Sequence, residues 1–188
     1  MKKTIQNALL QILETTPIST ITVKDISNVA NIHRATFYVY FSSKEELYET
    51  IIEDILYDLE LAIKPSPTLT YSAIKHLYHN QQSFLNEALL FIQHIQKNKK
   101  VYIALLKDYQ FQNQFITVIF RCMMLGNILP DIYTRHLAHG TVGLVQEWLE
   151  KEEESAEELA IYLTQINLHA LVNYPKIVSG TRKIHYNL

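Results

Sequence analysis

The chain has 188 residues, 48% hydrophobic and 19% charged, which suits one compact domain or a small domain sharing its core with a larger one. Its 4 Gly and 5 Pro are too few for the turns of an all-β fold, and long stretches without either residue favour long helices. A net charge of −2 argues against a polybasic nucleic-acid coat or a membrane-surface role, so any DNA contact must rest on a few placed cations.

At the N-terminus, Ile5, Ala8, Leu9, Ile12 and Leu13 recur at helical spacing, so residues 2–15 read as an amphipathic helix. This segment lacks the apolar run of a signal peptide, and no stretch approaches the length of a membrane span. A single cysteine, Cys122, excludes an intrachain disulfide and a multi-cysteine zinc site. The expectation is a soluble cytoplasmic protein.

Pro17 sets a break. Thr22 reads as the N-cap of a second helix, with Asp25 at the capping-box position, and Val23, Ile26, Val29 and Ala30 form its inner face. Asn31 tolerates the left-handed conformation that a tight helix-to-helix turn requires, and Ile32 plugs that turn. A short helix from about His33 to Tyr40 completes a helix-turn-helix over about 22–41, whose second helix is shaped for a major groove. Arg34, Thr36, Tyr38 and Tyr40 supply donors and hydroxyls, Ala35 permits close approach, and Phe37 and Phe41 face inward. Ser43-Lys44-Glu45-Glu46 is a capping box opening a fourth helix, where Lys44 and free backbone N–H groups make a phosphate site.

The run from Ile21 to Leu47, with its TFYVYFSSKEEL stretch, resembles the DNA-binding domain of the TetR family of transcriptional regulators. It departs from that pattern at Asn31, where the family usually has Gly, and at His33, where Ser or Thr is common. The resemblance implies an all-α fold of about nine helices: a three-helix DNA-binding domain over 1–48 and a larger ligand-binding and dimerisation domain over 49–188. It assigns Tyr38 and Lys44 to the DNA backbone. Thr22, Lys24, His33, Arg34, Ala35, Thr36 and Tyr40 complete the expected DNA-facing set.

Beyond the fourth helix, which Pro65-Ser66-Pro67 ends, periodicity predicts helices over roughly 69–80, 83–97, 99–108, 111–125, 131–150 and 156–172. Gly126-Asn127 with Pro130 marks one break, and the charged turn before Ser155 marks another, with Ser155 capping the last helix over Glu158. The last two helices are expected to dimerise through Leu137, Gly140, Gly143, Leu144, Trp148, Leu163 and Ile166. The stretch from His139 to Leu171 resembles the C-terminal domain of a Firmicutes-type branch of TetR regulators.

Aromatics concentrate between these regions. Phe84, Phe91, Tyr102, Tyr109, Phe115 and Phe120 are the candidates to line an effector pocket, against the ordinary alternative that aromatics at helical spacing are core. His76 with His79, and His136 with His139, each share a helix face, but two histidines without a third ligand are a weak metal signal, and no cofactor is expected. Cys122 reads as a buried apolar residue.

The expected function is a ligand-responsive repressor acting as a homodimer on a palindromic DNA operator and answering a small-molecule effector. An activator of the same fold and an adaptor without DNA function are the alternatives. An enzyme is not expected, because the chain has no phosphate-binding glycine loop, nucleophile elbow or HExxH motif.

Overall fold

The computed structural model describes residues 1–63, 86–123, 131–151 and 153–181. Among these, nine α-helices and one 3-10 turn account for the regular structure, with no strand. The expected helix over 69–80, the break at 126–130, and Phe84, His76 and His79 lie outside the described residues.

The first helix, α1 (Lys2–Leu13), buries Ile5, Ala8, Leu9 and Leu13, the face its periodicity marks. Pro17 precedes the 3-10 turn Ile18–Thr20. Helix α2 (Val23–Val29) starts at a reciprocal cap. Asp25 N–H donates to Thr22 Oγ1 at 3.3 Å, while the Asp25 carboxylate accepts from Thr22 N–H at 2.9 Å and from its hydroxyl at 2.6 Å.

The end of α2 depends on one residue. Asn31 has φ 53°, the one positive φ at a non-glycine among the described residues. That conformation lets Ile32 N–H reach Ser27 O at 3.0 Å and Asn31 N–H reach Asn28 O at 3.1 Å, the paired bonds of a Schellman ending. The chain thereby turns directly into α3 (Arg34–Tyr40).

Helix α4 (Lys44–Ala62) starts at Ser43, whose hydroxyl accepts from Glu46 N–H at 3.1 Å. The Glu46 carboxylate reaches one residue further back than a capping box requires, accepting from Ser42 N–H at 2.6 Å. Its buried residues run the whole length of the helix, from Leu47 and Tyr48 to Leu59, because α4 packs on α1 and also on later helices. It crosses the expected boundary at 48/49 without a break.

The remaining helices are α5 (Asn86–Lys97), α6 (Lys99–Leu105), α7 (Tyr109–Met123), α8 (Asp131–Lys151) and α9 (Ala156–Thr181). Helix α8 packs chiefly on α7 and α9 chiefly on α5, so each of the last two helices touches an earlier partner more than the other. Ser155 and Glu158 cap α9 reciprocally, at 2.8 and 3.2 Å. The sequence reading ended α9 near 172, ahead of Pro175, yet the helix continues to Thr181. A proline removes one intrahelical bond and kinks a helix, but the turns flanking it keep their own bonds.

Candidate nucleic-acid interface

Helix α3 has seven residues, too few to hold itself in water, so its position comes from its neighbours. Phe37 is its one buried residue, at 0% exposure, with its ring tilted against that of Phe41 at 6.0 Å between centroids. Around them lie Ile5, Leu9, Ile21, Ile26 and Leu47, all nearly inaccessible. With Phe37 fixing its rotation, α3 exposes Arg34, Ala35, Tyr38, Val39 and Tyr40, and half-exposes Thr36. Arg34, Tyr38 and Tyr40 make no side-chain hydrogen bond or ion pair to the described residues, so their polar atoms are available to a partner.

The other expected contacts divide by what they already do. Lys24 and His33 are exposed. His33 stands at the N-cap of α3 without a side-chain capping bond, so no side chain of the cap satisfies the first N–H groups of α3. The Thr22 hydroxyl is engaged in the cap of α2.

Lys44 departs from expectation. Its ammonium donates to the carbonyls of Ile18 at 2.9 Å, Ser19 at 3.3 Å and Ile21 at 2.7 Å, and lies 3.8 Å from the Glu45 carboxylate. An ammonium has three protons. All three are turned inward on the segment joining α1 to α2, so Lys44 fastens the head together. From the sequence, the N–H groups that open α4 and the family resemblance put this charge on a DNA phosphate; the carbonyls it meets within the chain are remote in sequence.

Two contacts that the sequence reading missed tie the start of α7 and the turn before it to the end of α1 and to α4. Lys107, in the turn between α6 and α7, donates to Glu14 O at the end of α1 at 2.7 Å. Gln110 bonds the Glu49 carboxylate on α4. Neither residue carries a local signal, since a lone Lys or Gln near a helix end is ordinarily a solvated side chain.

Residues 5–51 match the family described as bacterial regulatory proteins, tetR family. The head is therefore similar to a TetR-type helix-turn-helix. The chain is also 27% identical over 158 residues to an uncharacterised HTH-type transcriptional regulator, YxbF, of Bacillus subtilis strain 168. That match covers 82% of this chain and 41% of the relative, so the chain spans less than half of that protein's length. Three solved structures share the TetR-like fold. The dihydroxyacetone kinase operon activator DhaS superposes with TM-score 0.59 at 22% identity, covering 91% of this chain and 96% of that one. A TetR transcriptional regulator from Streptococcus agalactiae 2603V gives 0.61 at 24%, with 88% and 92% covered. A tetR-family regulator from Streptomyces coelicolor gives 0.65 at 14%, with 96% and 85% covered.

Behind the TetR-type head, the expected pocket residues separate. Phe91, Tyr102 and Phe115 join Phe111 in a packed aromatic cluster, with ring centroids 5.4 to 6.1 Å apart. Tyr102 is fully buried, its hydroxyl has no hydrogen-bond partner among the described residues, and His94 abuts its ring edge-on at 6.0 Å. Tyr109 is 76% exposed and lies outside this cluster, at the first turn of α7 where its side chain faces solvent. Phe120 is half-buried with the Arg135 guanidinium 4.5 Å over its ring. An open groove of about 450 Å³ between α4 and α7 is lined by Tyr57, Glu60, Asn113, Gln114, Thr117 and Arg121 among others, and by none of the expected pocket residues.

The expected dimer face divides too. Trp148 and Leu163 are buried within the chain, and the Trp148 indole donates to Glu154 O at 2.8 Å under the α8–α9 turn. They belong to the chain's own core and are unavailable to a partner. Gly140, Gly143 and Ile166 are exposed, and Leu137 and Leu144 half-exposed. Among the described residues, a side chain built at Gly140 or Gly143 would meet nothing within 4 Å. His136 lines a groove of about 490 Å³ on this face with His169. Among the described residues no group of three or more His, Cys, Asp or Glu is placed to hold a metal ion. Burial and the nearby Glu60 push the Cys122 thiol up to about 11, which keeps it protonated and unreactive at neutral pH.

Proposed function

We propose that this chain is a cytoplasmic, ligand-responsive transcriptional repressor that acts as a homodimer on a palindromic operator. The observation that carries the DNA-binding part is α3. On a TetR-type head it is held by Phe37 and turns Arg34, Tyr38 and Tyr40, with their polar atoms unengaged, away from the protein. The cations this requires are few and placed, consistent with a net charge of −2. No described helix is long and apolar enough to cross a membrane, which agrees with action on DNA in the cytoplasm. Selection of bound duplexes from random DNA by the purified protein is the test. A palindrome bound with strong salt dependence is expected. Binding to no duplex would leave an adaptor without DNA function.

The dimer is proposed to form on the exposed part of α8 and α9, where Gly140 and Gly143 permit close approach and Leu137, Leu144 and Ile166 offer apolar area. Because none of the described residues opposes a side chain at 143, Gly143→Glu should fold normally yet place two like charges across a two-fold axis. Sedimentation should show a folded monomer that binds the full palindrome weakly. A folded dimer would locate the interface elsewhere. The likeness to the Bacillus subtilis relative runs over 158 residues, well past the head, which supports a C-terminal domain of the Firmicutes type.

The effector is proposed to bind beside the aromatic cluster, where the Tyr102 hydroxyl offers an unused polar group among apolar walls. It needs only to favour the released state over the DNA-bound one. Helix α4, continuous from head to body, would carry the shift. Activation is the second reading: DhaS, which shares the fold, is named as an operon activator, so the fold is compatible with either sign of regulation.

A further inference from the structure

Charge and hydrogen bonding leave one part of the α3 surface unexplained. Val39 is 77% exposed, more than any other large apolar side chain of the head. Ala35, one turn earlier, is exposed as well, so the two form an apolar strip along the helix. Phe37, at 0% exposure, sets the rotation that turns this strip outward: two residues further on, at about 100° per residue, Val39 lies on the opposite side. A scattered exposed valine is ordinary. Here the strip lies between Arg34 and Tyr38 on one flank and Tyr40 on the other, in the middle of the surface that faces a partner.

Neither side chain has a donor or an acceptor. In the major groove the one apolar group on a base edge is the thymine C5 methyl. We infer that the Ala35–Val39 strip selects thymine at one position of each half-site by packing on its C5 methyl. A β-branched valine is stiff at χ1, so its two methyls are presented with little entropy left to lose. Ala35 keeps the helix backbone near enough for the contact. The inference rests on the DNA-binding reading above and adds which base is read, and by which residues.

The duplex selected from random DNA allows a direct test. Each thymine is replaced in turn by deoxyuridine, which removes the methyl and keeps the base pair. One thymine per half-site should then weaken wild-type binding by about fourfold, the effect of one buried methyl-sized group. Val39→Ala, at a position outside the core, should fold as the wild type does and should bind the thymine and uracil duplexes within about twofold of each other. Wild-type indifference to every replacement overturns the inference while leaving DNA binding intact. An equal loss in wild type and Val39→Ala also overturns it, because another residue would then read the methyl. Failure to select any duplex overturns the DNA-binding reading itself.

Discussion

Tyr38 and Tyr102 are both tyrosines inside short helices, yet one is 50% exposed and the other is fully buried. Tyr38 belongs to a head whose core is small and whose polar groups are spent on caps and turns, leaving α3 to face outward. Tyr102 belongs to a body whose aromatics pack on one another from three helices, α5, α6 and α7. The same residue type at the same kind of spacing is therefore left exposed in one region and packed into the core in the other. What separates them is whether a second helix lies across that face.

The sharpest test of this contrast removes one phenylalanine from each region. Phe37→Ala and Phe115→Ala both empty a fully buried site and should each cost about 3–5 kcal/mol of stability. Their effects on DNA should differ. Phe37→Ala takes away the one buried side chain of α3 and should abolish specific binding even at temperatures where the fold persists. Phe115→Ala should retain it under the same conditions. Calorimetry alongside a binding titration measures both, and equal losses of DNA binding would break the distinction between head and body.

Lys44 comes next. Lys44→Met leaves three carbonyls without their donor and should lower the stability of the head by roughly 1–3 kcal/mol. The slope of DNA affinity against salt should stay as in the wild type, because these carbonyls hold the ammonium within the head. A shallower slope with unchanged stability would move Lys44 from the inside of the head to its DNA surface.

Arg34→Ala should do the reverse. It should change stability by no more than about 0.5 kcal/mol, since Arg34 makes no side-chain hydrogen bond or ion pair to the described residues. DNA affinity should fall by about 1–3 kcal/mol, with relaxed preference at one position of each half-site. Uniform weakening across all sequences would identify a phosphate contact instead.

The smallest expected effect is on acid stability. Hydrogen bonds from the Thr22 hydroxyl and backbone hold the Asp25 carboxyl below the usual carboxylate range, and those from Ser42 do the same for Glu46. A carboxylate with a depressed folded value contributes stability above about pH 4, which is lost as the pH falls through the folded values. Acid should therefore loosen the starts of α2 and α4. Asp25→Asn should flatten part of that dependence when head unfolding is followed by hydrogen exchange. The same slope in the variant would show that this cap does not titrate with folding.

Much of the head was legible in the residues because its determinants are local. The Thr22–Asp25 cap spans three residues, as does the Ser155–Glu158 cap of the body. Asn31 adopts the left-handed turn that its side chain tolerates, and Phe37 and Phe41 are buried as their spacing requires. Interactions within one turn of a helix depend on the order of residues alone.

The tertiary structure decided what periodicity leaves open. Spacing identifies an apolar face but not which helix covers it, so Trp148 and Leu163, expected at the dimer face, are buried by the chain's own packing. Tyr109 was grouped with Tyr102 by composition, and only the placement of α7 separates them. Lys44 is the clearest case. Its three carbonyl partners lie 23 to 26 residues earlier, and a flexible four-carbon stem meets whatever acceptors the fold brings near, which no local pattern encodes.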